Sequence, residues 1–312
     1  MYMSQTVISL ANWPLGRSAP PWPSRALPGD RPVWCHGWEA GSGHHRVGGA
    51  VGTSTRWKGP NGDRWNSAAR RLARWREDSR NADQRLEEIA ADHLCALHET
   101  LRADRSAFGL YDTACAAGER LAGALGSLAT EGAESSDALV ARLVSEVGGD
   151  GGTLADAAVR RGVAAAVRDV RDRHPEMDDA MNGDGAGGGF AWDILCDLYQ
   201  VFFADMVGEF LRSVVAEHVK LAVPVLIATD PEGRIADWVA ENVVDLVPNP
   251  CEASAEVTGH AQAVDTAQSV VGVAQDPPTA LPKIAESLVP RAVGKVLGLI
   301  LEETTGEEGA AA

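Results

Sequence analysis

Three clusters in this sequence carry residue types that could do chemistry. Gly183, Gly185 and Gly188 match G-x-G-x-x-G, a pattern whose glycines let a strand-to-helix turn approach a pyrophosphate. That chemistry needs a strand immediately ahead, and residues 177–182 are polar and not strand-like. The glycines therefore read as a loop before a helix, with nucleotide binding through the 183–189 loop kept as an alternative because a helix N-terminus can accept an anion. Asp178, Asp179, Asn182 and Asp184 could offer oxygens to Ca²⁺ or Mg²⁺. Their spacing is not that of an EF-hand loop and no closing Glu follows. His93, Cys95 and His98 lie close together in a helical stretch. Helical zinc ligands stand three or four residues apart, whereas the two histidines are five apart, about 140° around the axis. The expected arrangement is a core Cys95 beside surface histidines. No G-x-S-x-G, H-E-x-x-H or Walker A pattern occurs, so the residues nominate no catalytic group, no metal and no cofactor, and the chain reads as non-enzymatic.

The elements that would position these groups are helical. Ala, Leu and Val are abundant against 5 Phe and 3 Tyr, a balance that favours helices over strands. The apolar period predicts helices over 66–78, with Asn66 or Ser67 as N-cap, and over 82–103, 110–128, 136–147 and 154–173. The last is stopped by His174-Pro175. The longest apolar run, 192–220, is the expected central helix, because Ile194, Leu198, Phe202, Phe203, Met206, Val207, Phe210 and Leu211 cover more than one face. Asp193, Asp197, Asp205, Glu209 and Arg212 interrupt it too often for a membrane span. Residues 223–227 allow at most a short strand, and 235–246 a further helix. Five prolines make 247–284 mostly loop, with a weak helix within 261–273, and a last helix is expected over 291–303. The fold class is thus mainly α, a multi-helix, bundle-like domain over 66–303 with a sub-boundary at 175–190, a flexible tail at 51–65 and a disordered end at 304–312.

Charge divides the chain. Residues 51–76 hold seven basic groups, Arg56, Lys58, Arg64, Arg70, Arg71, Arg74 and Arg76, against Asp63 alone, whereas residues from 107 onward hold 13 basic and 33 acidic. The net charge of −16 argues against a dedicated DNA-binding protein and makes any nucleic-acid contact indirect. Five cysteines with no C-x-x-C pair suggest reduced thiols and a cytoplasmic setting.

Residues 1–50 hold four of the nine Trp and six of the sixteen Pro with no periodicity. They read as a disordered or spurious extension. Val51 is what an internal GTG encodes, and GTG also starts translation in bacteria, so the natural chain is expected to open Met-Gly-Thr-Ser.

Gly52-Thr53-Ser54, followed by Gly59-Pro60, resembles the N-terminal signature of the B component of the Qat anti-phage defence system. The likeness covers about ten residues and the general plan of a short tail on a helical body, and it departs from the family in being internal. The resemblance implies operon partners: an ATPase, a TatD-like nuclease and a QueC-like enzyme, whose relatives activate a deazapurine carboxylate with ATP and pass it to ammonia. A terminal amine is a similar acceptor, so Gly52 becomes the expected point of modification. The residues are compatible with this. Glycine leaves its amine unhindered, and an α-amino group has a neutral fraction at neutral pH. Thr53, Ser54 and Thr55 offer small donors, Arg56 and Lys58 suit a phosphate, and Trp57 suits a pocket. Gly59 and Pro60 close the motif. The competing expectation is a helical scaffold with no modified terminus, the other being the nucleotide-binding enzyme or hydrolase of the 183–189 loop. Intact mass of the protein from its native locus checks the start site, and a chain lacking residues 1–50 is the expected result.

Overall fold

A computed structural model describes residue 60 and residues 62–131, 135–182, 189–222, 230–255 and 277–300. These fall in one compact unit and are mainly helical, with no strand among the described residues. The helices are α1 (Asp63–Arg74), α2 (Ala82–Ala103), α3 (Leu110–Glu131), α4 (Ser136–Val147), α5 (Leu154–Arg173), α6 (Glu176–Asn182), α7 (Trp192–Ala222) and α8 (Pro231–Val243). A helical run over 250–255 is α9, and α10 is Pro277–Val296.

Helix α7 is the axis of the fold. It packs against α5 and α8 on its two flanks and also touches α1, α3 and α10. Every residue from 201 to 211 is buried, as a helix that is apolar all round requires. Tyr199, Phe202, Phe203 and Phe210 are its largest fully enclosed side chains, each aromatic contributing roughly 1.5–3 kcal/mol through burial. Two glycines set how closely its neighbours approach. A Cβ on Gly162 of α5 would stand 2.8 Å from Met206 Cα, and one on Gly208 of α7 would stand 2.6 Å from the Ala236 carbonyl oxygen of α8. Both obstacles are backbone, so no side-chain rotation relieves them. Despite its length, α7 carries too many ionisable groups to be a span, and no described helix is long and apolar enough to cross a membrane.

The helices over 82–103, 136–147 and 154–173 coincide with their sequence patterns, and their starts have local causes. Ser135 accepts from the Ala138 amide at the head of α4, and Thr153 and Asp156 form a reciprocal capping box at α5. Four expectations need correction. The first helix starts at Asp63, capped by Gly62, and stops at Arg74, earlier than the 66–78 read from its apolar residues. The eighth starts at Pro231, where Asp230 caps it and a proline in the first turn costs no hydrogen bond. Residues 250–255 and 277–284 are helical within the stretch expected to be mostly loop. Pro277 and Pro278 occupy the first turn of α10, and the burial of Leu281, Ala285, Val289, Ala292, Val293 and Val296 outweighs the amides lost at Pro282 and Pro290. The same helix ends at Val296 and does not run to residue 303. Gly298 adopts φ +65°, and the Gly298 and Leu299 amides donate to the Lys295 and Gly294 carbonyls at 2.9 and 2.8 Å, which is a Schellman stop. The short strand at 223–227 and the weak helix within 261–273 lie outside the described residues.

Gly162→Ala and Gly208→Ala should each lower stability by about 1–3 kcal/mol through overpacking. Gly123→Ala, at a position with open space around it, should raise stability by about 0.5–1 kcal/mol. Urea unfolding of the three variants measures the contrast.

Candidate functional site

Of the nominated tail residues, Gly52, Thr53, Ser54, Thr55, Arg56, Trp57, Lys58 and Gly59 lie outside the described residues. Pro60 is described, and it is buried. It leads directly into α1, which is held along its length on α2. Trp65 is buried and donates from Nε1 to Thr100 Oγ1 at 2.9 Å, with its ring edge-on to His93. Trp75 donates from Nε1 to the Ala82 carbonyl at 2.8 Å. Arg64 pairs with Glu99 at 3.1 Å, and Arg71 pairs with Glu88 at 2.7 Å and with Asp92. The basic run after the motif is therefore not one free cationic surface: Arg64 and Arg71 are engaged by the acidic face of α2, whereas Arg70 and Arg74 are exposed.

Both histidines expected at the surface are buried, His93 at 1% and His98 at 4% exposure. His93 Nδ1 meets the Ile89 carbonyl at 2.7 Å. His98 Nε2 lies 3.0 Å from the Val296 carbonyl, an acceptor only, so this nitrogen carries the hydrogen. Arg102 donates from Nε to the Gly298 carbonyl at 2.7 Å. Together His98 and Arg102 satisfy the carbonyl end of α10. Burial pushes His98 down to about 4, the Val296 bond resisting and the Arg102 charge adding to the fall. The ring is neutral and structural. Cys95 is buried in the same helix, and among the described residues no group of three or more His, Cys, Asp or Glu could hold a metal.

The reading of the cysteines as reduced thiols is overturned for Cys95, Cys196 and Cys251, all of which are disulfide-bonded; among the described residues Cys115 is free. Cys196 on α7 and Cys251 on α9 form a disulfide with Cα atoms 6.0 Å apart. They are 55 residues apart in sequence, which no local pattern reveals. Beside this bridge lies a polar cleft of about 400 Å³ lined by residues including Gln200, Asn249, Glu252, Arg291 and Lys295. Much of its polar lining is committed internally: Gln200 donates to the Val247 carbonyl at 2.9 Å, and Asn249 donates to Gln200 Oε1 at 3.2 Å.

Gly183, Gly185, Gly188 and Asp184 lie outside the described residues. Just beyond them, the Phe190 amide donates to the Leu128 carbonyl at 3.0 Å, which fixes the chain to α3 before α7 begins. Ahead of them, His174 is bridged by Asp197 at 2.9 Å and Glu176 at 3.0 Å. The Asp197 bond leads in raising its pKa above the ordinary value.

One group missed in the sequence stands apart. Asp205, in the middle of α7, is 5% exposed, and its Oδ2 has no hydrogen-bond partner. Burial, with Asp169 adding repulsion, pushes its carboxyl up to about 8. Asp237 and Glu241 on α8 are likewise raised, in both cases chiefly by desolvation. The signal available was an Asp inside the run Val201-Phe202-Phe203-Ala204-Asp205-Met206-Val207, where a charge is costly unless it is neutralised.

Comparison with family models, with curated proteins and with solved structures finds no match for this chain.

Two pH effects follow. The unfolded chain protonates His98 near 6.5 and the folded one only near 4, so stability should fall as pH drops through that window, by on the order of 3 kcal/mol. His98→Gln should flatten that slope relative to wild type, read by denaturation at pH 4.5 and 6.5. For Asp205 the folded carboxyl keeps its proton to about 8 while the unfolded one loses it near 3.8. Stability is therefore lost as pH rises through that interval, and Asp205→Asn should become progressively more stable than wild type between pH 5 and 8.

Proposed function

We propose that this chain is a non-enzymatic component of a bacterial anti-phage defence system, and that a QueC-like partner enzyme recognises its tail at 52–60 and modifies Gly52. The observation that carries the reading is the sequence motif Gly52-Thr53-Ser54…Gly59-Pro60, which precedes in the chain a helix fixed to the body by Trp65, Arg64 and Arg71. A tail with an anchored base can be offered to a partner without disturbing the core. The chemistry balances. The partner joins a carboxylate to AMP at the expense of ATP, releasing pyrophosphate. With translation begun at position 51 and its methionine removed, the neutral α-amine of Gly52 attacks the acyl carbon, an amide forms, AMP leaves and the amine gives up a proton. Arg56 and Lys58 meet the phosphate and Trp57 anchors the tail. The ATPase and the TatD-like nuclease complete the partner set.

The reading places the protein in the cytoplasm, where ATP is supplied. The Cys196–Cys251 bridge favours an oxidising setting and supports the second reading, a helical scaffold with an unmodified terminus. Co-expression with the three partners, followed by mass spectrometry of the Gly52 peptide, separates them. The expected result is a mass increase equal to the acyl group, absent when the QueC-like enzyme is omitted and absent in Gly52→Pro, whose secondary amine sits in a ring. An unshifted Gly52 peptide in cells that resist phage rejects modification.

A further inference from the structure

Three stretches of chain line the cleft of about 400 Å³ beside the Cys196–Cys251 bridge. Residues 245–253 bring Asp245 and Glu252, α10 brings Leu288, Arg291 and Lys295, and α7 brings Gln200. Leu288, Arg291 and Lys295 follow one another at three and four residues, so they share one face of α10. The stretch that carries the acids is tied to α7. Cys251 is bonded to Cys196, Gln200 donates from Nε2 to the Val247 carbonyl at 2.9 Å, and Asn249 donates to Gln200 Oε1 at 3.2 Å. Asn249 Oδ1 also accepts from the Cys251 amide at 2.8 Å, which caps the start of α9. This side of the cleft is in place before any ligand arrives, and a preformed site binds at a smaller ordering cost.

The charged lining is in a different state. Among the described residues the side chains of Asp245, Glu252 and Arg291 take part in no ion pair or hydrogen bond, although both signs of charge line the same space. Two cationic and two anionic side chains therefore face one cleft without Arg291 being neutralised by either acid. A simple anion would gain from Arg291 and Lys295 and be repelled by Asp245 and Glu252, and a simple cation would meet the reverse. An apolar guest would displace water from these groups and return no partner. A guest with one charge of each sign, close together, satisfies both sides at once.

We propose that this cleft is a binding site for a small zwitterion of the free α-amino acid class. Its carboxylate is received by the Arg291 guanidinium, whose planar fork suits two oxygens, and Lys295 one turn further on adds to the positive field. Its ammonium donates to the carboxylates of Glu252 and Asp245. Its side chain lies against Leu288. The volume is at the lower end of the range for small-molecule sites, about 300–1,000 Å³, and so suits one such molecule. The inference does not rest on the tail at 52–60, and its failure leaves the Gly52 reading untouched.

The test uses the full chain and each common L-amino acid in turn at millimolar concentration, screened by saturation-transfer NMR, with affinities then measured by NMR titration. The best binder is compared with its carboxamide, which lacks the carboxylate, and with its N-acetyl derivative, which lacks the ammonium. Arg291→Gln and Glu252→Gln change exposed cleft residues, and Lys283→Gln and Glu286→Gln change exposed residues of α10 that do not line the cleft. Thermal unfolding checks that all four variants keep the fold. The expected result is binding of at least one amino acid, with a loss of about fivefold or more in both derivatives and in both cleft variants, and less than a twofold loss in the two controls. Binding of no amino acid overturns the proposal. So does equal binding of the carboxamide and N-acetyl derivatives, or equal weakening in all four variants, which would reduce the effect to the general charge of the surface.

Discussion

The close seating of α7 between α5 and α8 is the constraint on which the rest of this structure depends. Two backbone approaches, Gly162 on Met206 and Gly208 on Ala236, leave no room for a side chain on either flank. Aromatic side chains fill the remaining faces, with Phe202 and Phe203 packed edge to face and Tyr199 donating to the Ala285 carbonyl of α10 at 3.0 Å. A helix buried on every side has no solvent face on which to place its polar residues. Glu209 meets this by pairing with Arg161 and Arg212 at 2.8 and 3.2 Å, the partner reaching it from α5 and the other from its own next turn. Asp205 has no such partner and meets the same constraint by keeping its proton. Two acids four residues apart on one helix are thus treated in opposite ways, and the difference lies in what the neighbouring helices present to each.

Around this axis the outer helices are held by contacts between distant parts of the chain. The carbonyl end of α10 is closed from outside by His98 and Arg102 of α2, so the C-terminal part of the described fold is tied to its second helix. The bridge between Cys196 and Cys251 ties the α9 region to the start of α7. At the other end, α1 is seated on α2 by the half-buried Trp65 hydrogen bond and two arginine ion-pair sets. The exposed ion pairs contribute little each; Trp65 and Leu72, both enclosed, supply most of the hold. The base of the tail is therefore fixed by apolar burial, and the charges set its register.

Much of the helical framework was legible. Where one apolar face alternates with a charged one and a capping residue stands at the start, as at Ser135 and Thr153, the sequence period and the structure agree to the residue. Prolines misled the reading of 277–284, because the burial of one apolar stripe along α10 compensates for missing amides that a local reading counts as prohibitive. The end of α10 was misplaced because Val293, Val296, Leu297, Leu299 and Ile300 continue an apolar run past Gly298. Only the left-handed turn at that glycine, with His98 packed against it, stops the helix.

For the site residues the division is sharper. The tail motif at 52–60 is a matter of order along the chain, which is why sequence alone nominates Gly52 and its neighbours. Composition and periodicity likewise determine that the described protein is helical and that 192–220 lies at its centre. What only the tertiary structure decided is the state of single polar groups: that His93 and His98 are enclosed, that Cys196 meets Cys251, and that Asp205 is buried with its Oδ2 unpartnered. The reason is physical. Periodicity reports which face of one helix is apolar, whereas the dielectric, charge and hydrogen-bond partners around a side chain are supplied by helices tens of residues away.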